Sequence, residues 1–420
     1  MRRRVFLLFT IVSMAVSVLA KTEIEVVSDD RGCLLTVDGK PFFLKGMNWD
    51  YFPIGTNYTY SIWEQPEDVI QAALDSEMTL LRKMGVNVTR QYNTIPPRWI
   101  KYIYEKYGIY TMINHSFGRY GLTINGTWHG NTDYCREDVR KLLLQEMDDF
   151  VNTYHGTPGV LMYLIGNENN YGLFWAGAES EDLPVGENLH DRRARCLYEL
   201  LNEAALRVKA ADSSIPVAIC NGDLQFLDII ADVCKDIDVL GINCYRGDSF
   251  DRLFKDVKEK YGKPVLLTEF GADAYNAVIK QEAQQEQAEV LLSNWHEIYL
   301  NAAGMGQSDN CLGGFTFQFS DGWWKTGQTK NLDVHDTHAS WANGGYRFDF
   351  VAGENNMNEE WFGICAKGQP NKRGLYRLYP RMAYKILREV QKIDPYQSSP
   401  SFIEQHFSAI KKRIRKNNFR

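Results

Sequence analysis

The sequence predicts an α/β fold, a (β/α)8 barrel with an N-terminal β-hairpin and long loops on its C-terminal face. Three observations carry the prediction. First, eight apolar runs of strand length alternate with stretches of helical period, the pattern that closes a parallel barrel. Second, two of the runs stop at a glutamate: Leu161-Met-Tyr-Leu-Ile-Gly-Asn-Glu168 and Pro264-Val-Leu-Leu-Thr-Glu269. A carboxylate at the end of a buried strand makes poor core, and barrel strand ends are where reacting groups sit. Third, the first run opens into Gly46-Met-Asn-Trp-Asp-Tyr-Phe-Pro53. A doubly wound open sheet, the competing architecture, would carry a glycine-rich phosphate turn there.

The elements follow in order. Ile24 to Val37 alternates as a hairpin turning at Asp29-Asp-Arg-Gly32, placed to cap the bottom of the barrel. Phe42 to Asn48 reads as the first strand. Asp68 to Met84 has helical spacing and stops at Gly85. Val86 to Arg90 is the second strand. Pro97 to Tyr107 is a helix with proline at its start and Gly108 at its end. Ile109 to Asn114, Val160 to Asn167 and Val217 to Asn221 read as strands three to five, separated by helices over Asp138 to Tyr154 and Asp191 to Ala210. A short helix spans Leu224 to Ala231. Val239 to Asn243, Val265 to Glu269 and Gly313 to Ser320 complete the eight, with helices over Phe250 to Tyr261 and Glu282 to Leu300 and a closing helix over Tyr379 to Val390. Two insertions, Phe117 to Tyr134 and Asp321 to Lys372, follow strands three and eight, so both fall on the C-terminal face as walls of a cleft.

With 44% hydrophobic and 24% charged residues in 420, the chain can build one large core. A net charge of −6 gives no reason to expect a nucleic-acid partner. Residues 1–20 read as a signal peptide: Arg2 to Arg4 is basic, Val5 to Val18 is too short to span a bilayer, and Val18-Leu-Ala20 offers a cleavage site. The expected location is therefore exported: secreted, periplasmic or cell-surface. Residues 21–395 form the barrel and 396–420 a basic C-terminal helix or tail. There Ile403, Phe407, Ile410 and Ile414 make a docking stripe, and Lys411 to Lys416 a solvated face that offers contact with an acidic surface or membrane as the sharper reading. Glu179, Glu181 and Asp182 form a solvated charge run. Export permits disulfides among the eight cysteines, but their pairing is unreadable, and Cys220 and Cys244 fall in strands as buried thiols. No Cys-x-x-Cys or His-x-x-x-His spacing suggests zinc, and no cofactor is expected. Of four glycosylation sequons, at Asn57, Asn87, Asn114 and Asn125, strand position argues against Asn87 and Asn114.

Glycoside hydrolysis needs one carboxylic acid to protonate the leaving oxygen and one carboxylate across the anomeric carbon. We assign Glu168 as acid/base and Glu269 as nucleophile, with Glu168 the protonated member, since close carboxylates do not both ionise easily. In a retaining enzyme their oxygens lie about 5–5.5 Å apart.

Six motifs in order resemble the large clan (clan A) of retaining β-glycosidases built on (β/α)8 barrels. They are Phe42-Phe-Leu-Lys-Gly46, Gly85-Val-Asn-Val-Thr-Arg90, Gly166-Asn-Glu168, Asp238-Val-Leu-Gly-Ile-Asn-Cys-Tyr245, Thr268-Glu269-Phe-Gly271 and Gly313-Gly-Phe-Thr-Phe317. Within the clan the chain is most similar to the catalytic barrel of the β-galactosidase/β-glucuronidase family and to β-1,3-glucanosyltransferases, over about residues 38 to 392. The resemblance implies that Arg90 sits beside the nucleophile and Tyr245 hydrogen-bonds it. Asn167 is expected to meet the sugar 2-hydroxyl. Candidate substrate contacts are His115, Trp175, Trp324 and Asp321. Two features depart from the family: the leader runs into the barrel without the β-sandwich domains that normally precede it, and Phe317 stands where many relatives carry Trp. The expected partner is an oligo- or polysaccharide. The alternatives are a β-glucan transglycosylase using the same site, a non-catalytic carbohydrate-binding barrel, and a metal-dependent barrel hydrolase, against which the lack of clustered histidines weighs.

Overall fold

A computed structural model describes residues 22–92, 94–175, 188–325 and 327–416. The leader reading (1–20), the charge run (Glu179, Glu181, Asp182) and the last four residues lie outside them. Eight parallel strands close a barrel: β1 (Leu44–Asn48), β2 (Val88–Gln91), β3 (Tyr110–His115), β4 (Val160–Ile165), β5 (Val217–Gly222), β6 (Val239–Asn243), β7 (Val265–Phe270) and β8 (Cys311–Thr316). Each pairs with the next, and β8 pairs back to β1 with Gly313 opposite Leu44. No edge is left unpaired, so every strand can be apolar on both faces; β4, β5, β6 and β7 are buried at every position.

Alternation along each strand divides the side chains into two layers. Leu44, Val88, Met112, Met162, Leu164, Ala218, Val239, Leu266 and Phe315 form one buried cluster together with Ile24 and Leu35 of the N-terminal sheet. That sheet has three strands rather than two: Ile24–Asp29, Gly32–Val37 and Lys40–Pro41. It docks through the Cys33 N–H bonded to the Asp309 carbonyl just ahead of β8, which places it across the N-terminal mouth. The other layer, including Ile113 and Ile165, belongs to the cluster that also holds Leu143 and Met147 of the surrounding helices. The helices at Glu67–Met84 and Pro97–Tyr107 end at Gly85 and Gly108, both in the left-handed conformation that favours glycine.

The C-terminal segment is a helix, Pro400–Arg415, whose Ile403, Phe407, Ile410 and Ile414 are all buried. Phe407 packs edge-on against Tyr299 of the helix Gln284–Leu300 at 5.3 Å. Docking on the barrel thus consumes the apolar stripe, and no helix among the described residues is long and apolar enough to cross a membrane. Cys135 and Cys196 form a disulfide that ties the insertion after β3 to the helix Leu189–Ala211. Asn57 and Asn87 are hydrogen-bonded within the fold and Asn114 is drawn into the barrel, whereas Asn125 is exposed at the turn of a small hairpin.

Candidate active site

The two glutamates reach one cluster from opposite sides of the barrel. Glu269 belongs to β7, and Glu168 lies three residues past the end of β4. The turn that carries Glu168 is bent. Gly166 has φ of 86°, and a Cβ there would meet Asn169 Oδ1 at 2.6 Å, so only glycine fits. Glu168 itself has φ of 55°, a left-handed conformation costing about 1–2 kcal/mol in a non-glycine residue. The surroundings hold it there. The Glu168 N–H donates to the Cys220 carbonyl at 3.0 Å, and the Asn169 side chain accepts from the Asn167 N–H at 2.8 Å while donating to Tyr134 and the Phe117 carbonyl. Backbone strain retained under such constraint is characteristic of functional sites.

Glu269 is 7% exposed, and three donors take both its oxygens. Arg90 Nη1 donates to Oε1 at 3.0 Å, Tyr92 Oη to Oε1 at 2.7 Å, and Tyr245 Oη to Oε2 at 2.9 Å. Burial, with Glu269 adding to it, raises the Tyr245 phenol well above its usual range, so it remains a donor. Arg90 is wholly buried and spreads its guanidinium across the barrel, meeting Asn114 Oδ1 and Asn167 Oδ1, each at 2.8 Å. A positive charge fixed this way compensates a negative one on Glu269.

Glu168 meets a different environment. Its hydrogen bond from a side chain comes from Asn243 Nδ2 at 3.1 Å, while Asn243 Oδ1 accepts from Thr268 Oγ1 at 2.8 Å. Asn243 therefore lies between the two carboxylates, contacting one directly and reaching the other through Arg90 Nη1 at 3.3 Å. Burial, reinforced by the Glu269 charge, pushes the Glu168 carboxyl up to about 7. One carboxyl is thus poised to carry a proton near neutrality, beside another wrapped in donors.

Arg90, Tyr245 and Asn167 converge on the pair. Asn167 is 7% exposed and fully engaged on its oxygen, and its Nδ2 donates to Tyr120 Oη at 2.8 Å. Trp324 packs edge-on to Phe52 at 5.5 Å and near Tyr58 at 5.8 Å, which places it beside the loop after β1. Three further candidates are engaged in packing or ion pairs of their own. His115 points out of the barrel: its Nδ1 accepts the Phe117 N–H at 3.1 Å, Nε2 faces Glu146 at 3.6 Å, and its ring packs on Phe150. Burial lowers it to about 4, so it is neutral and structural. Alternation places its neighbour Asn114 inside instead. Asp321 is 1% exposed and buried in an ion pair with Arg381, whose guanidinium meets its two oxygens at 2.6 and 2.8 Å. Trp175 is half-buried, with one ring face covered by the Arg193 guanidinium of the helix Leu189–Ala211 at 3.7 Å.

Tyr92, Asn114, Asn243 and Tyr120 escaped the sequence reading. Asn243 had the clearest signal, since it ends a strand one turn of alternation before Tyr245. Among the described residues, no group of three or more His, Cys, Asp or Glu is placed to hold a metal ion.

Residues 30–331 match the family model for the TIM barrel domain of glycosyl hydrolases family 2. No curated protein sequence matches the chain. Among solved structures, it is similar to a β-D-glucuronidase from Dictyoglomus thermophilum, with TM-score 0.54 at 17% identity, over 89% of this chain and 54% of that one. A Bifidobacterium dentium β-glucuronidase complexed with coumarin-3-O-glucuronide gives TM-score 0.56 at 18% identity, over 89% and 50%. A β-galacturonidase from Eisenbergiella tayi bound to galacturonate gives 0.54 at 16%, over 88% and 54%. The chain spans about half the length of these structures, and at such identities the likeness speaks for the fold alone. The family model covers well over half of the sequence, and the chain belongs to glycosyl hydrolases family 2 through its TIM barrel domain.

Proposed function

We propose that this chain is a glycoside hydrolase that cleaves β-linked glycans with net retention, with Glu269 as nucleophile and Glu168 as acid/base. One observation carries the reading: two carboxyls at the ends of β4 and β7 are linked through Asn243 and Arg90 yet sit in opposed environments, one raised to about 7 and one held by Arg90, Tyr92 and Tyr245. In the first step a Glu269 oxygen bonds to the anomeric carbon as the glycosidic bond breaks, and the Glu168 proton passes to the leaving oxygen. In the second step Glu168, now ionised, takes a proton from water. That water attacks the anomeric carbon and frees Glu269, and two inversions give retention. Arg90 and Tyr245 hold Glu269 in the attacking position.

The test is hydrolysis of aryl β-glycosides by the protein and by Glu168→Gln and Glu269→Gln, with proton NMR of the first-formed anomer. Each substitution should abolish turnover while sugar binding persists, and the first product should be the β-anomer. Unchanged hydrolysis in both variants, or an α-anomer formed first, would overturn the assignment. Export is the location proposed, supported by the leader reading and by a Cys135–Cys196 disulfide suited to an oxidising compartment. N-terminal sequencing of protein recovered outside the cytoplasm checks it.

A further inference from the structure

The insertion after β3 sends one side chain to the glutamate pair. The chain turns tightly at Phe117, with φ of 52°, and Gly118, with φ of 74°. The Arg119 N–H donates to the Ser116 carbonyl and the Gly121 N–H to the Gly118 carbonyl, both at 3.1 Å. Thr132 Oγ1, further along the insertion, donates to the Gly118 carbonyl at 2.5 Å, and the Cys135–Cys196 disulfide ties down the end. Gly121 has φ of 102°, and a Cβ there would meet the Trp128 ring at 2.5 Å, so the hairpin closes on a glycine. Between these fixed turns stands Tyr120. Its ring is 59% exposed, while its hydroxyl reaches inward to Asn167 Nδ2 at 2.8 Å.

The direction of each hydrogen bond at this point is set by chemistry. Arginine only donates, so Asn167 turns its oxygen to Arg90 Nη2 at 2.8 Å, and Asn243 Nδ2 donates to the same oxygen at 3.2 Å. The Asn167 amide nitrogen therefore faces Tyr120, and the Tyr120 oxygen accepts. Two protons stay unspent: the second on Asn167 Nδ2 and the phenol proton of Tyr120. No described residue accepts either. Burial above all, with the charges of Glu269 and Glu168 adding to it, raises the Tyr120 phenol, so it keeps its proton in the presence of both carboxylates.

Two donors 2.8 Å apart can share one acceptor oxygen lying about 3 Å from each. A sugar hydroxyl suits the place. It accepts both hydrogen bonds and still has its own proton to give to a carboxylate of the pair. An anionic oxygen would also accept, but it brings no proton and would stand near the Glu269 charge.

Resting on the hydrolase reading above, we propose that Tyr120 binds the reacting sugar, its phenol donating to the 2-hydroxyl beside Asn167. The insertion after β3, and not the barrel alone, then makes turnover depend on that hydroxyl. A substrate without it leaves two donors unpaired, which is how a site built for a hydroxyl rejects the analogue lacking one.

The experiment measures kcat/KM for aryl β-glucoside, β-galactoside and β-mannoside, and for the 2-deoxy form of the best of them, on the protein and on Tyr120→Phe, alongside thermal melts. Tyr120→Phe should lower kcat/KM on the hydroxylated substrate roughly 10-fold, the upper worth of a hydrogen bond between neutral groups, and leave the 2-deoxy substrate nearly unaffected. Melting temperature should hold, because the ring is exposed. The same substitution in an Asn167→Ala background, assayed with a dinitrophenyl glycoside, should still cost activity on the hydroxylated substrate. Equal losses on both substrates, no loss on either, or a loss that vanishes without Asn167 would overturn the proposal. If the protein itself cleaves no aryl glycoside, the hydrolase reading fails and the contact is decided separately. Calorimetry with laminaritriose, cellotriose and mannotriose then takes the place of kinetics, as it does for any variant too slow to assay. Weaker binding of the tightest of the three by Tyr120→Phe would uphold the contact; unchanged affinity, or no binding of any, would overturn it.

Discussion

Replacing Glu168 by Gln should make the protein more stable, and only at neutral and alkaline pH. Burial and the Glu269 charge raise its carboxyl from 4.5 to about 7, so the folded state resists ionising it. Below pH 4.5 Glu168 is protonated in both folded and unfolded chains and costs nothing. Between pH 4.5 and about 7 the unfolded chain has released its proton and the folded one has not, so stability falls as pH rises. Above about 7 the loss is complete. At 1.36 kcal/mol per pH unit, the window from 4.5 to about 7 amounts to roughly 3 kcal/mol. Gln keeps the shape and can still accept from Asn243 Nδ2, yet carries no charge to desolvate. An unfolding entropy of about 2.1 cal/mol/K per residue over 420 residues makes ~3 kcal/mol worth roughly 3–4 °C. Thermal melts of the protein and Glu168→Gln at pH 4 and pH 8 measure it. The expected gain is about 3 °C at pH 8 and none at pH 4. An equal gain at both pH values, or a loss at pH 8, would refute the view that Glu168 is held against its electrostatic preference.

Other consequences follow from the same contacts. Turnover should fall on the alkaline side with a midpoint near 7, where Glu168 loses its proton; Asn243→Ala removes a donor that favours the ionised form, so the pH profile of kcat/KM in that variant should move its alkaline limb upward. Tyr245→Phe deletes one hydrogen bond to the Glu269 carboxylate, and steady-state kinetics should show kcat lowered roughly 10- to 100-fold with melting temperature nearly unchanged. Asp321→Ala removes two charge-assisted hydrogen bonds from buried Arg381, which keeps Glu282 at 2.7 Å, and should destabilise by about 1–3 kcal/mol in denaturant titration, while kcat of the folded fraction holds.

The elements themselves were legible in the sequence because each is a local matter. Helix periodicity placed Pro97–Tyr107 to the residue, and apolar runs placed all eight strands within a few residues of their observed bounds. The largest slippage came at strand ends. β4 ends at Ile165 and not Asn167, because Gly166 turns the chain, and β8 begins at Cys311 and ends at Thr316. Glu168 and Glu269 stood out for an equally local reason, each an ionisable group ending a run of pure core. Arg90 and Tyr245 were found through motif resemblance, and the structure puts both on Glu269.

What sequence alone determined, then, was which segments fold into what and where charge interrupts apolar strand. It could not say which way a strand end faces. His115 and Asn114 are adjacent, and one step of alternation sends the histidine to the helix layer and the asparagine to Arg90. Nor could it pair residues brought together only by closure of the barrel. Asp321 reads as a cleft acid until Arg381, sixty residues later, pairs with both its oxygens, and Tyr92 looks like a loop residue until closure of the barrel sets its hydroxyl on Glu269 Oε1. Secondary structure is written in neighbours along the chain, whereas charge, burial and hydrogen bonding at this site are set by neighbours across it, and only the folded barrel decides those.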